Sequence, residues 1–112
     1  MKIEIKTQEA SVHYVSLKGD LDFNSAKKVR EELAKLLQKD APKVLMDLGG
    51  VRYIDSSGLA TFIDFFQKMK RSSGKLAFFN VNQSVRSVFE IAKLDTVFHL
   101  MASEQEALAQ VS

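Results

Sequence analysis

Tyr53-Ile54-Asp55-Ser56-Ser57-Gly58-Leu59 is the stretch on which the fold turns. Asp, Ser and Ser in succession are helix N-cap chemistry, because each short side chain can offer an oxygen to the unpaired N–H groups of a first turn. The residues that follow are strongly apolar at helical spacing, with Leu59, Phe62, Ile63, Phe66 and Met69 on one face. The spacing predicts a helix anchored in the core whose hydroxyl-bearing start faces outward. Gly58 lets another backbone come close to that start.

Upstream of this junction, residues 44–48 form a nearly continuous apolar run between Pro42 and Gly49-Gly50, as in a central strand covered on both faces. A loop over 49–55 then leads into the helix. Earlier still, residues 2–6 alternate as K-I-E-I-K and residues 12–18 are β-prone, with 7–11 as the turn, which predicts an antiparallel hairpin. Gly19 to Asn24 breaks the second strand and caps a helix over 25–39, whose inner stripe is Ala26, Val29, Leu33, Leu36 and Leu37. Lys27, Glu31 and Lys35 lie on its solvated side at i, i+4 spacing.

Downstream, Arg71-Ser72-Ser73-Gly74 ends the central helix and residues 76–79 are the next strand. Residues 80–83 cap a third helix carrying Val85, Val88, Phe89 and Ala92, and residues 97–100 read as a short last strand. Ser103-Glu104-Gln105-Glu106 has the capping-box pattern and opens a final helix through Gln110. A hairpin followed by alternating strands and helices predicts one α/β domain over 1–112. Its mixed sheet has four to five strands, four helices and right-handed crossovers. The loops at 20–25 and 53–58 then meet at one edge and form one surface.

Composition narrows the functions open to such a domain. With 112 residues, 46% of them hydrophobic, the chain suits a single core. Sixteen basic against fourteen acidic residues leave +2, too balanced to argue for a nucleic-acid partner. No cysteine is present, which removes disulfides and thiolate metal sites and fits a cytoplasmic protein. The first nine residues alternate charged and apolar side chains, unlike a signal peptide or membrane insertion segment.

Gly19-Asp20-Leu21-Asp22-Phe23-Asn24-Ser25-Ala26, the strand at 44–48 and Asp55-Ser56-Ser57-Gly58-Leu59, in this order and spacing, resemble the STAS domain of bacterial anti-sigma factor antagonists. The likeness covers essentially the whole chain. It implies a domain that binds an anti-sigma factor which is also a serine kinase, thereby freeing the sigma factor. Phosphorylation of a serine in the Asp-Ser-Ser-Gly element ends the contact, and a serine phosphatase restores it. Carried over by position, the acceptor is Ser56, with Ser57 as second choice. The partner-binding set is Asp20, Asp22, Asn24, Asp55, Ser56, Ser57 and Gly58. Cap chemistry alone does not choose between the two hydroxyls. The alternative within the family is a STAS subunit serving as a structural module, for example of a lipid-transport complex, and retention of the full Asp-Ser-Ser-Gly favours the switched form.

Other features have structural readings. Asp47 at a strand end is similar to the phosphorylated aspartate of response-regulator receivers, but the first strand lacks the acidic pair, so Asp47 is read as structural. Lys68, Lys70, Arg71 and Lys75 surround a helix C-terminus, where cations complement the dipole. Ser56 has Ile54 where a Gly-x-Ser-x-Gly nucleophile elbow needs glycine. His13 and His99 have neither triad nor metal-ligand spacing, and no glycine-rich phosphate loop exists. The reading is therefore a kinase substrate with no cofactor, no metal and no catalysis of its own.

Overall fold

The computed structural model describes residues 1–8, 11–38 and 40–112. Strands β1 (Lys2–Thr7), β2 (Val12–Leu21), β3 (Lys43–Ile54) and β4 (Lys75–Phe79) form one sheet in sequence order. Helices α1 (Phe23–Leu36) and α2 (Ser56–Arg71) cross between its parallel strands, and α3 (Gln83–Ile91) and α4 (Glu104–Val111) follow. The hairpin pairs β1 and β2 antiparallel, from Lys2↔Lys18 to Thr7↔His13. β2–β3 and β3–β4 are parallel. The mixed α/β sheet expected from the sequence is present, with four strands and four helices among the described residues. The middle of the hairpin turn and Lys39, the expected end of α1, lie outside the described residues.

The two parallel strands run further than their glycines suggested. Gly19, Asp20 and Leu21 do not break β2, and residues 49–54 are not a loop. These segments pair with each other, through Lys18↔Gly50, Gly19↔Val51, Asp20↔Tyr53 and Leu21↔Ile54. Each supplies the other's backbone partners, and Leu21, Val51 and Ile54 are buried. The cost of the glycines appears as register shifts on either side of Gly19, whose φ of 114° is open only to glycine without strain. Because β2 continues to Leu21, α1 begins at Phe23, two residues before its expected start.

Alternation along β3 and β4 sends side chains to two cores. Val44, Met46, Leu48, Leu76 and Phe78 face α1, α2 and α3, whereas Leu45, Ala77 and Phe79 pack with Ala107 and Val111 of α4. The expected α1 stripe is correct at Ala26, Val29, Leu33 and Leu36, with Leu37 partly buried as the C-cap. On α2 the stripe is rotated. Phe62 and Met69 are buried, but so are Gly58, Thr61 and Phe65, while Leu59, Ile63 and Phe66 are only partly covered. The reason is that α2 packs on α1 as well as on the sheet, so its buried arc is wider and displaced.

Residues 97–100 are not a strand. Only the parallel bridge Phe78↔Leu100 forms there, and Phe98 is buried. Its ring stacks on Phe78 with centroids 5.2 Å apart and meets Phe66 at 5.2 Å and Phe89 at 5.8 Å. This segment plugs the core beside β4. Buried His13 hydrogen-bonds the Thr7 hydroxyl at 2.9 Å across the hairpin. Among the described residues no helix is long and apolar enough to cross a membrane.

Candidate functional site

The extension of β2 and β3 brings two helix starts side by side. Asp22 caps α1, its Oδ1 accepting from Asn24 N–H at 3.0 Å and Ser25 N–H at 3.2 Å. Ser25 completes the capping box by accepting from Asp22 N–H at 3.1 Å and donating its hydroxyl to the Asp20 carbonyl at 2.8 Å. Asp55 caps α2, its Oδ1 accepting from Gly58 N–H at 3.1 Å. Its second oxygen accepts from Phe23 N–H, the first of α1, at 3.3 Å. The backbone N–H of Asp55 donates to the Leu21 carbonyl at 3.2 Å. The two loops expected to share a surface are thus hydrogen-bonded into one.

Of the sequence-derived candidates, Asp22, Asn24, Asp55, Ser56 and Ser57 come together at this edge. The serines do not act as caps, because Asp55 alone fills that role for α2. Ser56, the first residue of α2, is exposed, and its hydroxyl forms no hydrogen bond among the described residues. Ser57 is half-buried, its carbonyl accepting from the Thr61 hydroxyl at 3.0 Å. Asp20 turns its carboxylate toward Arg52, 3.4 Å away.

Gly58 has a packing role within the fold. It is buried, and a Cβ there would lie 2.6 Å from the Leu21 carbonyl oxygen and 2.7 Å from Ile54 Cγ1. Within the chain, the close approach this glycine permits is to the protein's own β2. Asp47, by contrast, has the structural place expected of it. Its Oδ1 accepts from Gly49 N–H at 2.8 Å and Asn80 Nδ2 at 3.2 Å.

Two residues at the site had no signal in a reading based on hydroxyls and carboxylates. Phe23 is 80% exposed and Tyr53 55% exposed, flanking the helix starts with aromatic surface. A phenylalanine directly after a cap aspartate, before a helix whose apolar stripe begins three residues later at Ala26, was the available clue. The cations at the far end of α2 are engaged locally: Lys68 pairs with Asp64 at 3.0 Å and Lys70 sits over the Phe66 ring at 5.5 Å. Among the described residues no group of three or more acidic or histidine side chains is placed to hold a metal ion.

Fold and site together define a small α/β domain that presents a free serine hydroxyl at a helix start held by shared caps. The STAS domain model matches residues 2–107, and the chain belongs to the STAS domain family. The anti-sigma-B factor antagonist of Listeria monocytogenes is 28% identical over 106 residues, spanning 95% of this chain and 93% of the relative. Among solved structures, an anti-sigma factor antagonist from Mycobacterium paratuberculosis matches with a TM-score of 0.86 at 22% identity, over 98% of this chain and 92% of that one. The Bacillus cell fate determinant SpoIIAA in its phosphorylated form matches with a TM-score of 0.76 at 19% identity, over 99% and 100% of the two chains.

Proposed function

We propose that this chain is an anti-sigma factor antagonist. It binds an anti-sigma factor that is also a serine kinase, through the surface formed by Asp22, Asn24, Asp55, Ser56 and Ser57, and so releases the sigma factor. The kinase ends the contact by phosphorylating Ser56, and a serine phosphatase reverses the mark. The observation that carries this reading is the Ser56 hydroxyl, exposed and unbonded at the first position of α2. Ser57 is half-buried beside α1, which makes Ser56 the better presented of the two. The names and coverage of the relatives support the partner class.

The electrostatics favour a switch that acts at the contact. A phosphate adds about −1.5 to −2 charge near neutral pH. At a helix N-terminus that charge is stabilised by about 0.3–1 kcal/mol, so the helix tolerates it. The carboxylates of Asp55 and Asp22 already crowd the same edge. A protein packed over the edge would have to desolvate a dianion beside them, which is unfavourable. Intact-mass analysis after incubation with the purified cognate kinase and ATP tests the assignment. One added phosphate on the wild type and none on Ser56→Ala is the expected result, and full incorporation into Ser56→Ala would remove Ser56 from this role.

A further inference from the structure

Beside the helix starts, α1 and α2 enclose an open groove of about 540 Å³ lined by Phe23, Lys27, Arg30, Ser57 and Ala60. Three features make it unlike an ordinary helix seam. Phe23 stands 80% exposed at the first position of α1, although an aromatic ring gains most from burial. Lys27 and Arg30 follow it along one side of α1, four and seven residues on, both exposed and neither in an ion pair among the described residues. Asp64 on α2, which lines the adjoining seam with Arg30, pairs instead with Lys68 at 3.0 Å. The groove therefore has an apolar mouth next to the phosphoacceptor and a cationic wall leading away from it.

We infer that this α1–α2 groove is the recognition half of the anti-sigma factor contact, and that it receives a segment of that partner bearing an apolar side chain against Phe23 and Ala60 and carboxylates against Lys27 and Arg30. The inference rests on the proposed antagonist function. An exposed aromatic anchor with arginine beside it is the composition of an interface hot spot, and two free cations beside it select an acidic strip. Ser57 lies in the groove wall with Ser56 next to it in the chain, so a phosphate on Ser56 adds negative charge at the groove's mouth, on the edge the partner must cover. Recognition and release then share one surface.

The test is calorimetric titration of the purified cognate anti-sigma factor with wild type, Phe23→Ala, the Lys27→Glu/Arg30→Glu double variant and Ile91→Ala. Ile91 is 84% exposed on α3 and serves as the matched apolar control. Phe23→Ala and the double variant should each weaken binding tenfold or more, with melting temperatures unchanged because the altered side chains are exposed. Ile91→Ala should bind as wild type. The affinity of the wild type should fall more steeply with salt than that of the double variant. If the wild type binds but both groove variants stay within twofold of it, or charge reversal tightens binding, the groove assignment is wrong and the antagonist function stands. A wild type that does not bind the anti-sigma factor overturns both.

Discussion

Asp55 reaches across 32 residues of sequence to accept the N–H of Phe23 at 3.3 Å, with the carboxylate oxygen not used to cap its own helix. One side chain therefore satisfies orphan donors at the starts of two helices, and the geometry of the edge depends on it.

Asp55→Ala should lower stability by about 1–3 kcal/mol, because a cap contributes roughly 0.5–2 kcal/mol and a second hydrogen bond is lost with it. Ser56→Ala, next in sequence, removes an unbonded surface hydroxyl and should stay within about 0.5 kcal/mol of wild type. Urea denaturation of both compares them directly. Equal losses would mean that Ser56 shares the capping after all.

Gly58→Ala should be destabilising by about 1–3 kcal/mol, the usual range for overpacking. The new methyl would meet the Leu21 carbonyl at 2.6 Å and Ile54 Cγ1 at 2.7 Å, and backbone cannot yield as a long side chain can. Thermal melts give the loss of stability. An alanine variant that melts with the wild type would show that α2 can lift from β2 without cost.

Phosphorylation of Ser56 should leave the backbone in place. The charge arrives at a helix start that accepts it, and the core contacts of α2, such as Phe62 against Phe78 at 5.3 Å, lie further along the helix. Amide chemical shifts of the phosphorylated and unmodified forms should differ within residues 20–25 and 53–59. Changes spread through β3 below residue 49 and through α3 would instead mark a conformational switch.

Glu4 should titrate below the ordinary glutamate range. The cause is first its hydrogen bond and charge pairing with Lys2, 3.3 Å away, and then the charges of Lys18 and Lys6. A lowered folded-state pKa means that the contribution is present above the unfolded value and fades as pH falls through the folded one. The pair lies on the solvated side of the hairpin, so the readout is the Glu4 carboxyl resonance in an NMR titration. Lys2→Ala should move that midpoint upward, and an unmoved midpoint would assign the shift to other charges.

The parts of this molecule legible in its sequence are those governed by local chemistry. Asp22, Asn82 and Ser103 cap α1, α3 and α4 by accepting from the N–H groups of Ser25, Val85 and Glu106, and the apolar runs of β3 and β4 are strands because nothing else buries them. Glycines were the main source of error. Gly19 and Gly49-Gly50 carry the local signature of strand ends, yet they lie opposite one another's strands, and pairing across the sheet outweighs their intrinsic preference. The packing of Gly58 was not legible for a related reason, since its neighbour Leu21 is 37 positions away and no local pattern announces that contact. The site's carboxylates and hydroxyls were legible as a set. Their division of labour was not, because which oxygen caps and which is left free depends on the join between the two loops.

The unbonded state of the Ser56 hydroxyl has a consequence for the protein's lifetime in a cell. Chains are removed largely through their unfolded fraction, so a modification that altered folding would also alter abundance. A phosphate on a group that takes no part in holding the helices together, at a helix start that tolerates the charge, would not enlarge that fraction. On the proposed assignment of Ser56 as phosphoacceptor, the number of molecules and the fraction of them in service would be set by separate means, and the same molecule would pass through repeated rounds of marking and clearing without being drawn toward proteolysis each time.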